Sequence, residues 1–357
     1  MTHRLIDAYP SSPFEPDGMS KQMAPAVGAS MVDGFKRTIK YLRLSVTDRC
    51  DLRCTYCMPE RMTFLPKSDL LDFDELTELV NAFVDRGVNK LRVTGGEPLV
   101  RRDVLKLLTR FSKRLGNGLN ELTLTTNGTE LERFAQPLAD IGVKRINVSL
   151  DTLDKEKFTS LVRRDALEKV LQGLAAAKAA GLKVKINTVA QADVNAAEIS
   201  DLISWAHDQG FDLSLIEIMP MGNEVYGRSA SFLSLDDVKK DLASRWSLSP
   251  DSYATGGPSR YVKVKETGGR VGFITPLSHN FCSDCNRVRV TATGRLYTCL
   301  GQEDGADLRA ALREHDTLDA FHQILDQAIA KKPERHAFSE AELDTPASPR
   351  TMSVTGG

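Results

Sequence analysis

The sequence predicts an α/β protein organised around an incomplete, three-quarter barrel of about six βα units. Strand and helix patterns alternate regularly between residues 41 and 218, which is typical of a parallel sheet with helical crossovers. The unusual loop motifs of this region follow the carboxyl ends of the expected strands, where parallel barrels bind their ligands. About six units are too few for a closed eight-stranded barrel, and a flat doubly wound sheet is the alternative fold.

The expected strands are short apolar runs, each bounded by turn residues or by a helical pattern. Asp74–Arg86 is typical of the helices between them, because it carries apolar residues at helical spacing and ends before Gly87. The expected strands are Tyr41–Thr47, Lys90–Thr94, Glu121–Thr125, Arg145–Leu150, Lys183–Val189 and Leu213–Ile218. The other expected helices cover Val104–Leu115, Glu130–Asp140, Asp154–Leu161, Ala166–Ala180 and Ala197–Gln209.

The regions on either side of the barrel differ from it in composition. Residues 1–35 are rich in Pro, Ser, Gly and Met and are expected to form a loose extension, which leaves residues 36–225 for the barrel. Residues 226–332 are expected to form a smaller C-terminal α+β domain. Residues 333–357 are expected to be a loose tail ending in Gly356-Gly357. Within the smaller domain the expected features are a helix at Leu235–Ser244, hairpin turns at 268–269 and 293–294, and helices at Ala306–Arg313 and Thr317–Lys331.

Composition limits the class of protein. The 357 residues suffice for one large domain and a smaller one, and the hydrophobic share of 41% supports a packed core. A net charge of −1 gives no reason to expect binding to nucleic acid or to a membrane surface. No apolar run approaches the roughly 18 residues that span a bilayer, and the first 35 residues resemble neither a secretory signal nor a transit peptide. The clustered cysteines therefore indicate metal binding in a reducing compartment, and a cytoplasmic location is expected.

The first cysteine motif follows the first expected strand with the spacing C-x3-C-x2-C, at Cys50, Cys54 and Cys57. Soft thiolates this close together can hold zinc or an iron–sulfur cluster, whereas an ordinary surface loop is the alternative. A closed zinc site needs four protein ligands, and nothing in the spacing of His3 or His207 favours either as the fourth. We therefore favour a cluster with one iron left open for a small molecule, with the planar ring of Tyr56 beside it.

The second cysteine motif reads C-x2-C-x13-C, at Cys282, Cys285 and Cys299. It also provides three ligands, and a zinc ribbon completed by His279 is the alternative to a second cluster. Arg287 and Arg289 alternate on the strand that follows, so they are expected on one side. Two guanidiniums on one face can grip a triphosphate or a purine edge, whereas a solvated strand face is the alternative reading.

The cysteine motif with an aromatic residue before its last cysteine, together with Thr94-Gly-Gly-Glu-Pro98, resembles the radical S-adenosylmethionine (radical SAM) superfamily. Three further motifs are more specific: Leu44-Ser-Val-Thr-Asp-Arg-Cys50, Ile146-Asn-Val-Ser-Leu-Asp151 and Phe281-Cys-Ser-Asp-Cys-Asn-Arg-Val-Arg289. With the terminal Gly-Gly they are similar to the MoaA-type GTP 3′,8-cyclases of molybdenum cofactor biosynthesis, over about residues 36–357. The resemblance implies a TIM-like radical SAM barrel, with a second cluster in the C-terminal domain.

The resemblance also implies a chemistry. Two 4Fe-4S clusters and S-adenosyl-L-methionine are expected, and the 5′-deoxyadenosyl radical would abstract the ribose 3′ hydrogen of GTP before C3′ adds to guanine C8. The product would be (8S)-3′,8-cyclo-7,8-dihydroguanosine 5′-triphosphate. Implied partners are an electron donor such as flavodoxin or ferredoxin and a downstream cyclic pyranopterin monophosphate synthase, with the chain a monomer or homodimer.

The same resemblance implies roles for individual residues. The implied SAM contacts are Tyr56, Gly96, Ser149 and Met219. The implied GTP contacts are Arg43, Arg92, Thr125, Lys185, Arg287 and Arg289. The implied catalytic residues are Arg287, Arg289, Gly356 and Gly357. The two glycines belong to a tail that the resemblance implies reaches into the active site.

Three rival functions are weaker. A peptide-modifying radical SAM maturase usually carries more cysteines in its second domain. An iron–sulfur electron-transfer or sensor protein would need four cysteines for each cluster, and neither the Gly-Gly-Glu-Pro loop nor the arginine pair. A zinc-binding interaction module is the third rival, and metal analysis of anaerobically purified protein would distinguish it from the cyclase.

Overall fold

The computed structural model describes residues 30–222, 227–314 and 318–356. Twelve strands within these ranges form one sheet, in the order β12-β11-β10-β1-β2-β3-β4-β5-β6-β9-β8-β7. The strands are β1 Tyr41–Ser45, β2 Lys90–Thr94, β3 Glu121–Thr126, β4 Arg145–Ser149, β5 Lys183–Ala190, β6 Asp212–Glu217, β7 Leu248–Asp251, β8 Arg260–Val264, β9 Arg270–Ile274, β10 Arg287–Val290, β11 Arg295–Tyr297 and β12 Gly305–Asp307.

Helices connect the parallel strands, and sequence signals explain where they begin and end. Helix α1 begins at a capping box in which Asp72 and Glu75 each accept a backbone N–H of the other, and it ends before Gly87, whose φ is 94°. The helices are α1 Phe73–Asp85, α2 Val104–Ser112, α3 Leu131–Asp140, α4 Lys155–Val162, α5 Leu167–Ala179, α6 Ile199–Asp208, α7 Arg228–Ser231, α8 Leu235–Arg245, α9 Leu308–Arg313, α10 Asp319–Ala330 and α11 Met352–Thr355. No helix of the described chain is both long and apolar enough to cross a bilayer.

The sheet is an open barrel, as the sequence predicts. Strands β1 to β6 pair in chain order and run parallel. Strand β10 adds to β1 and β9 adds to β6, both parallel, so the parallel part of the sheet is wider than the six predicted βα units. The predicted hairpin turns are confirmed by the antiparallel pairs β8–β9 and β10–β11. The addition of β9 and β10 to the barrel was missed, because strand partners distant in sequence leave no local pattern.

Alternation along the strands separates an apolar outer face from a polar interior. On β1 the side chains of Leu42 and Leu44 join the hydrophobic core, whereas Tyr41 and Arg43 line a central cavity. The same alternation on the neighbouring strands brings cations and amides into the cavity, namely Arg92, Asn147, Lys185 and Asn187. Buried cations are costly without an anionic partner, so the interior of this barrel is suited to an anion.

The segment after residue 333 is packed, which corrects the prediction of a loose tail. It crosses the barrel opening, where Ala347 N donates to Pro220 O at 2.9 Å and Gly222 N donates to Ser348 O at 2.9 Å. Arg350 is 4% exposed and donates to Glu303 Oε1 at 2.8 Å. These contacts join distant parts of the chain, so the polar composition of the tail does not reveal them.

Two smaller predictions also differ from the structure. Residues 30–35 belong to the expected loose extension, yet Met31 is 1% exposed and Asp33 forms an ion pair with Arg37. The rest of the extension, residues 1–29, lies outside the described residues. The helix expected from Ala306 begins instead at Leu308, where Asp307 accepts the backbone N–H of Arg309 at 2.9 Å.

Candidate active site

The first cysteine loop follows β1 and is fastened to the barrel by its backbone. Cys57 N donates to Cys54 O at 3.0 Å, which forms a tight turn between these two cysteines. Arg53 N and Thr55 N donate to carbonyls at the end of α4, Val162 O and Leu161 O, both at 3.0 Å. The three thiols are therefore held at the carboxyl end of the parallel strands.

The thiols of this loop are shielded from solvent. Burial raises the pKa of Cys50 and of Cys57 to about 12, and it raises the pKa of Cys54 well above its ordinary value. The neighbouring carboxyls of Glu97, for Cys50, and Asp151, for Cys54 and Cys57, act in the same direction. The thiols thus ionise readily only beside added positive charge, which is what a bound metal centre provides.

Neither of the two histidines considered as a fourth ligand is found beside the first triad in the described part of the chain. Within residues 30–222, 227–314 and 318–356, no three His, Cys, Asp or Glu side chains converge closely enough to hold one metal ion. His207 is engaged elsewhere, with its Nδ1 2.6 Å from Thr267 Oγ1, and His3 lies outside the described residues. Three soft sulfur donors at this short spacing fit an iron–sulfur cluster that leaves one iron open.

Two buried carboxyl groups organise the loops around the first triad. Tyr56 Oη donates to Asp151 Oδ2 at 2.7 Å, which fixes the tyrosine ring beside the cysteines. Glu97 is fully buried and accepts from Leu99 N at 2.9 Å, Thr126 Oγ1 at 2.8 Å and Asn127 N at 2.6 Å. Burial raises the pKa of Glu97 to about 8 and that of Asp151 to about 6. Both residues belong to motifs recognised in the sequence, but no role was predicted for either.

Gly96 is required by the packing of two loops. Its N–H donates to Thr47 O at 2.8 Å, and a Cβ at this position would overlap the carbonyl of Arg49. A glycine here therefore allows the loop after β2 to lie directly against the loop that carries Cys50. Ser149, the other small residue implied as a SAM contact, is half-buried at the end of β4.

A cavity joins the barrel interior to the second cysteine triad. Its volume, measured for the centres of water-sized molecules, is about 140 Å³. No Asp or Glu occurs among its lining residues in the described part of the chain. The predicted site residues that line it are Arg43, Arg92, Lys185, Met219, Cys282, Cys285, Arg287, Arg289 and Cys299. Thr125 is not among the lining residues, but its Oγ1 accepts a hydrogen bond from Arg92 Nη1 at 3.2 Å.

Burial and mutual repulsion lower the pKa values of the cations in this cavity. Burial lowers the pKa of Arg289 to about 9 and that of Arg43 to about 10, and neighbouring guanidiniums act in the same direction. Burial also lowers the pKa of Lys185 well below its ordinary value, with Arg92 next in importance. An anion entering the cavity would relieve both effects.

The second triad contains one thiol that is already acidic. Burial opposes ionisation of Cys285, but Arg287 and Lys332 outweigh it and lower the pKa to about 6. Lys332 Nζ lies 3.6 Å from Cys285 Sγ and Arg287 Nη2 lies 3.9 Å from it. A thiolate is the form that binds metal, so this donor set fits an iron–sulfur cluster. His279, the alternative zinc ligand, is exposed and lies 2.9 Å from Asp236 Oδ2.

The tail passes between the two sites. The backbone N–H of Ser353 donates to the thiol of Cys57, and Met352 lines the cavity. Arg43 Nη2 donates to Gly356 O at 3.1 Å, and a Cβ on Gly356 would overlap the side chain of Thr94. Gly357 lies outside the described residues. Ser353 and Met352 carry no motif, so only their position brings them to the site.

Comparisons with known proteins agree with this geometry. The Radical SAM superfamily model matches residues 44–206, and the model for Molybdenum Cofactor Synthesis C matches residues 211–338. The chain is 59% identical over 329 residues to a protein of Erythrobacter litoralis named GTP 3′,8-cyclase, covering 92% of this chain and 99% of that protein. A Brucella canis protein with the same name is 56% identical, covering 92% of this chain and 96% of that protein.

Solved structures share the fold at low sequence identity. Streptococcus suis SuiB bound to S-adenosylmethionine is 17% identical with a TM-score of 0.54, covering 80% of this chain and 66% of that chain. SuiB bound to its precursor peptide SuiA is 16% identical with a TM-score of 0.56, covering 83% of this chain and 65% of that chain. At this identity the match supports the barrel fold alone.

Proposed function

The chain belongs to the GTP 3′,8-cyclase family of radical SAM enzymes, and from this premise we propose how its residues carry out the first step of molybdenum cofactor biosynthesis. The enzyme converts GTP into (8S)-3′,8-cyclo-7,8-dihydroguanosine 5′-triphosphate. The observation that supports the substrate best is the cavity free of Asp and Glu among its described lining residues, which buried cations and the second triad both line.

Cys50, Cys54 and Cys57 are proposed as the residues that would hold the 4Fe-4S cluster implied by the superfamily. When bound, this cluster and S-adenosyl-L-methionine supply a 5′-deoxyadenosyl radical, which removes the ribose 3′ hydrogen so that C3′ can bond to guanine C8. The proposed SAM contacts are Tyr56, Gly96, Ser149 and Met219. Tyr56 keeps its ring in place through Asp151, and Gly96 keeps the neighbouring loop close enough to exclude water.

Cys282, Cys285 and Cys299 are proposed to hold a second 4Fe-4S cluster. The low pKa of Cys285 supports metal binding, and the backbone N–H of His336 donates to the thiol of Cys282. The guanine end of GTP is proposed to lie beside this triad, because the triad and the cations line the same cavity. The proposed division of the chain is residues 36–225 for the barrel and 226–332 for the cluster domain. Strands β9 and β10 belong to the second range by sequence but extend the barrel sheet.

The buried cations are proposed to bind the triphosphate and to orient the ribose. Arg43, Arg92 and Lys185 lie on adjacent parts of the barrel interior, where a nucleotide would supply the missing negative charge. Thr125 orients Arg92 through their hydrogen bond. Arg287 and Arg289 are proposed as catalytic residues that stabilise charge as the cyclised base is reduced, and Gly356 with Gly357 lets the tail approach the substrate.

The reaction needs partners that supply electrons and consume the product. An electron donor such as flavodoxin or ferredoxin and a downstream cyclic pyranopterin monophosphate synthase are proposed for these roles. A cytoplasmic location is proposed because six ligand thiols persist best in a reducing compartment.

The test is an anaerobic assay of the reconstituted full chain. With S-adenosyl-L-methionine and dithionite present, 5′-deoxyadenosine is measured with GTP, with ATP and without nucleotide. We expect formation that depends on GTP and not on ATP. Formation indifferent to GTP would contradict the substrate, and no formation by iron-loaded protein would contradict the role of the first triad.

A further inference from the structure

Tyr41 lies inside the substrate cavity and has no role in the function proposed above. It is the first residue of β1, is 3% exposed and lines the cavity. In the sheet it lies opposite Lys90 of β2 on one side and Arg287 of β10 on the other. Among the described residues that line the cavity, it is the one tyrosine, and the cysteines are the other side chains that become anions on losing a proton.

The hydroxyl of Tyr41 is surrounded by cations. Arg92 Nε donates to Tyr41 Oη at 2.5 Å, and Arg43 donates a second side-chain hydrogen bond to it. Lys90 Nζ lies 4.9 Å from the centre of the tyrosine ring, and its own carboxylate partner is Glu121 of β3 at 2.9 Å. The tyrosine oxygen is thus the shared acceptor of two guanidiniums.

This environment favours the phenolate. Burial raises the pKa of Tyr41, but Arg92, Arg43 and Lys90 outweigh it and lower the pKa from 10.0 to about 7. Arg287 of β10 and Lys185 of β5 add further positive charge to the same cluster, since both interact with Arg43. A phenolate here partly balances the cations before any nucleotide is present.

We propose that Tyr41 is a positioning residue that holds Arg43 and Arg92 in the nucleotide-free cavity and releases them to the substrate phosphates, taking up a proton from solvent as it does so. The inference rests on the proposed binding of the triphosphate by these cations. Phosphate oxygens are more highly charged acceptors than the phenolate, so the guanidiniums turn to them. The Tyr41 oxygen then loses its stabilising charges and binds a proton, with no other bond formed or broken.

The sign of the pH dependence follows from this exchange. Nucleotide binding raises the pKa of Tyr41 above its value in the free protein, so binding takes up a proton only where the free protein has lost it. Below about pH 7 Tyr41 contributes no pH dependence, and above about pH 7 the affinity falls by up to about tenfold per pH unit. Proton uptake by the GTP phosphate and by Lys185, whose pKa burial also lowers, is common to all variants and cancels in a comparison between them.

The experiment is calorimetric titration of anaerobically loaded, full-length protein with GTP, without reductant so that no turnover occurs. Wild type, Tyr41→Phe and Tyr261→Phe are compared between about pH 6 and about pH 8.5, in two buffers of different ionisation enthalpy. Tyr261 is the matched control, because it is 4% exposed but does not line the cavity. Iron content and thermal midpoint are recorded for each protein.

We expect Tyr41→Phe to take up close to one proton fewer per GTP at pH 8 than wild type and Tyr261→Phe, and to lose the matching part of the slope of affinity. An unchanged slope in Tyr41→Phe would overturn the proposal while leaving GTP binding intact. Proton uptake near zero in wild type would overturn it without need of any variant. Wild type that does not bind GTP would overturn the proposed function as well, through a different readout.

Discussion

At the residue scale, the site contains buried cations in a cavity with no Asp or Glu among its described lining residues. Lys185 is 6% exposed, and the charges around it that shift its pKa most belong to Arg92, Arg145, Lys90 and Arg43. Burial of such a group lowers the stability of the free protein and raises its affinity for an anion. Function and stability are therefore opposed at this position.

The substitution Lys185→Met tests whether the buried charge lowers the stability of the free protein and raises its affinity for GTP. We expect the free energy of unfolding without nucleotide to rise by about 1 kcal/mol, because a buried charge is replaced by an apolar side chain of similar length. GTP affinity should fall by about 100-fold, since loss of one partner of a buried charge pair costs about 3 kcal/mol. Lys183→Met is the control, because Lys183 lies on the same strand but is exposed. Denaturant unfolding and calorimetry check both effects, and equal affinities for the two variants would contradict the assignment.

At the element scale, loops from different strands depend on one another. Glu97 accepts hydrogen bonds from its own loop and from the loop after β3, and Asn127 of that second loop donates to Asp51 Oδ1 at 2.8 Å beside the first triad. The tail helix α11 reaches the same triad from the other end of the chain through Ser353. The cysteine loop is thus held by three elements distant in sequence.

Glu97→Ala should loosen the first cysteine loop selectively. It leaves the donors of Leu99 N, Thr126 Oγ1 and Asn127 N without their acceptor, which costs about 3 kcal/mol in the free energy of unfolding. We expect reconstituted iron to fall from about eight to about four per chain, with the second cluster retained. Glu97→Gln keeps one oxygen acceptor, so its iron content should lie between those of wild type and Glu97→Ala. Iron analysis with electron paramagnetic resonance checks this, and full iron loading of Glu97→Ala would contradict it.

Gly356→Ala tests the tail at its closest approach to the barrel. Gly356 has a φ of 74° and no room for a Cβ beside Thr94, so alanine there should displace the tail and lower turnover by about tenfold or more. Gly268→Ala is the matched control, because Gly268 has a φ of 70° but nothing within 4 Å of an added Cβ. Both variants should lose about 1 kcal/mol of stability from the left-handed backbone. Equal turnover in the two variants would argue against a role for the tail.

At the scale of the whole molecule, the two ends of the described chain meet at the second triad. Arg37 is 8% exposed, and its guanidinium donates to Cys282 O at 2.7 Å, to Glu334 O at 2.7 Å and to Pro333 O at 2.6 Å. Asp33 holds this guanidinium from its other side at 2.6 Å. Arg37, at the start of the expected barrel range, therefore anchors the loop of the second triad, and Asp33 of the expected loose extension holds Arg37 in place.

Arg37→Met should impair the second cluster and leave the first intact. One buried and two partly buried carbonyl groups lose their donor, so the loop at Cys282 becomes mobile and GTP affinity falls by about tenfold or more. Arg86→Met is the control, because Arg86 is 2% exposed and pairs with Asp326 of α10 instead. Iron content and GTP titration distinguish the two variants. Loss of iron from both, or from neither, would contradict the anchoring role.

Much of this architecture was predictable because it depends on local patterns. The alternation of strands and helices from Tyr41 to Glu217 follows from apolar periodicity and from stops such as Gly87, and the partial barrel follows from that alternation. The cysteine spacings identified both triads, and family motifs identified the arginines at 287 and 289. Each of these signals lies within a few residues, so it can be read without knowledge of the fold.

Tertiary structure alone decided which distant groups became neighbours. The pairing of β10 with β1 and of β9 with β6, the cations around Tyr41, the hydrogen bond from Ser353 to Cys57 and the anchoring by Arg37 all join segments far apart in the chain. Local sequence determines the type of element and the chemistry of each side chain. Packing of the whole chain determines which charged groups become neighbours, and these neighbours set the pKa values of the site and its affinity for the substrate.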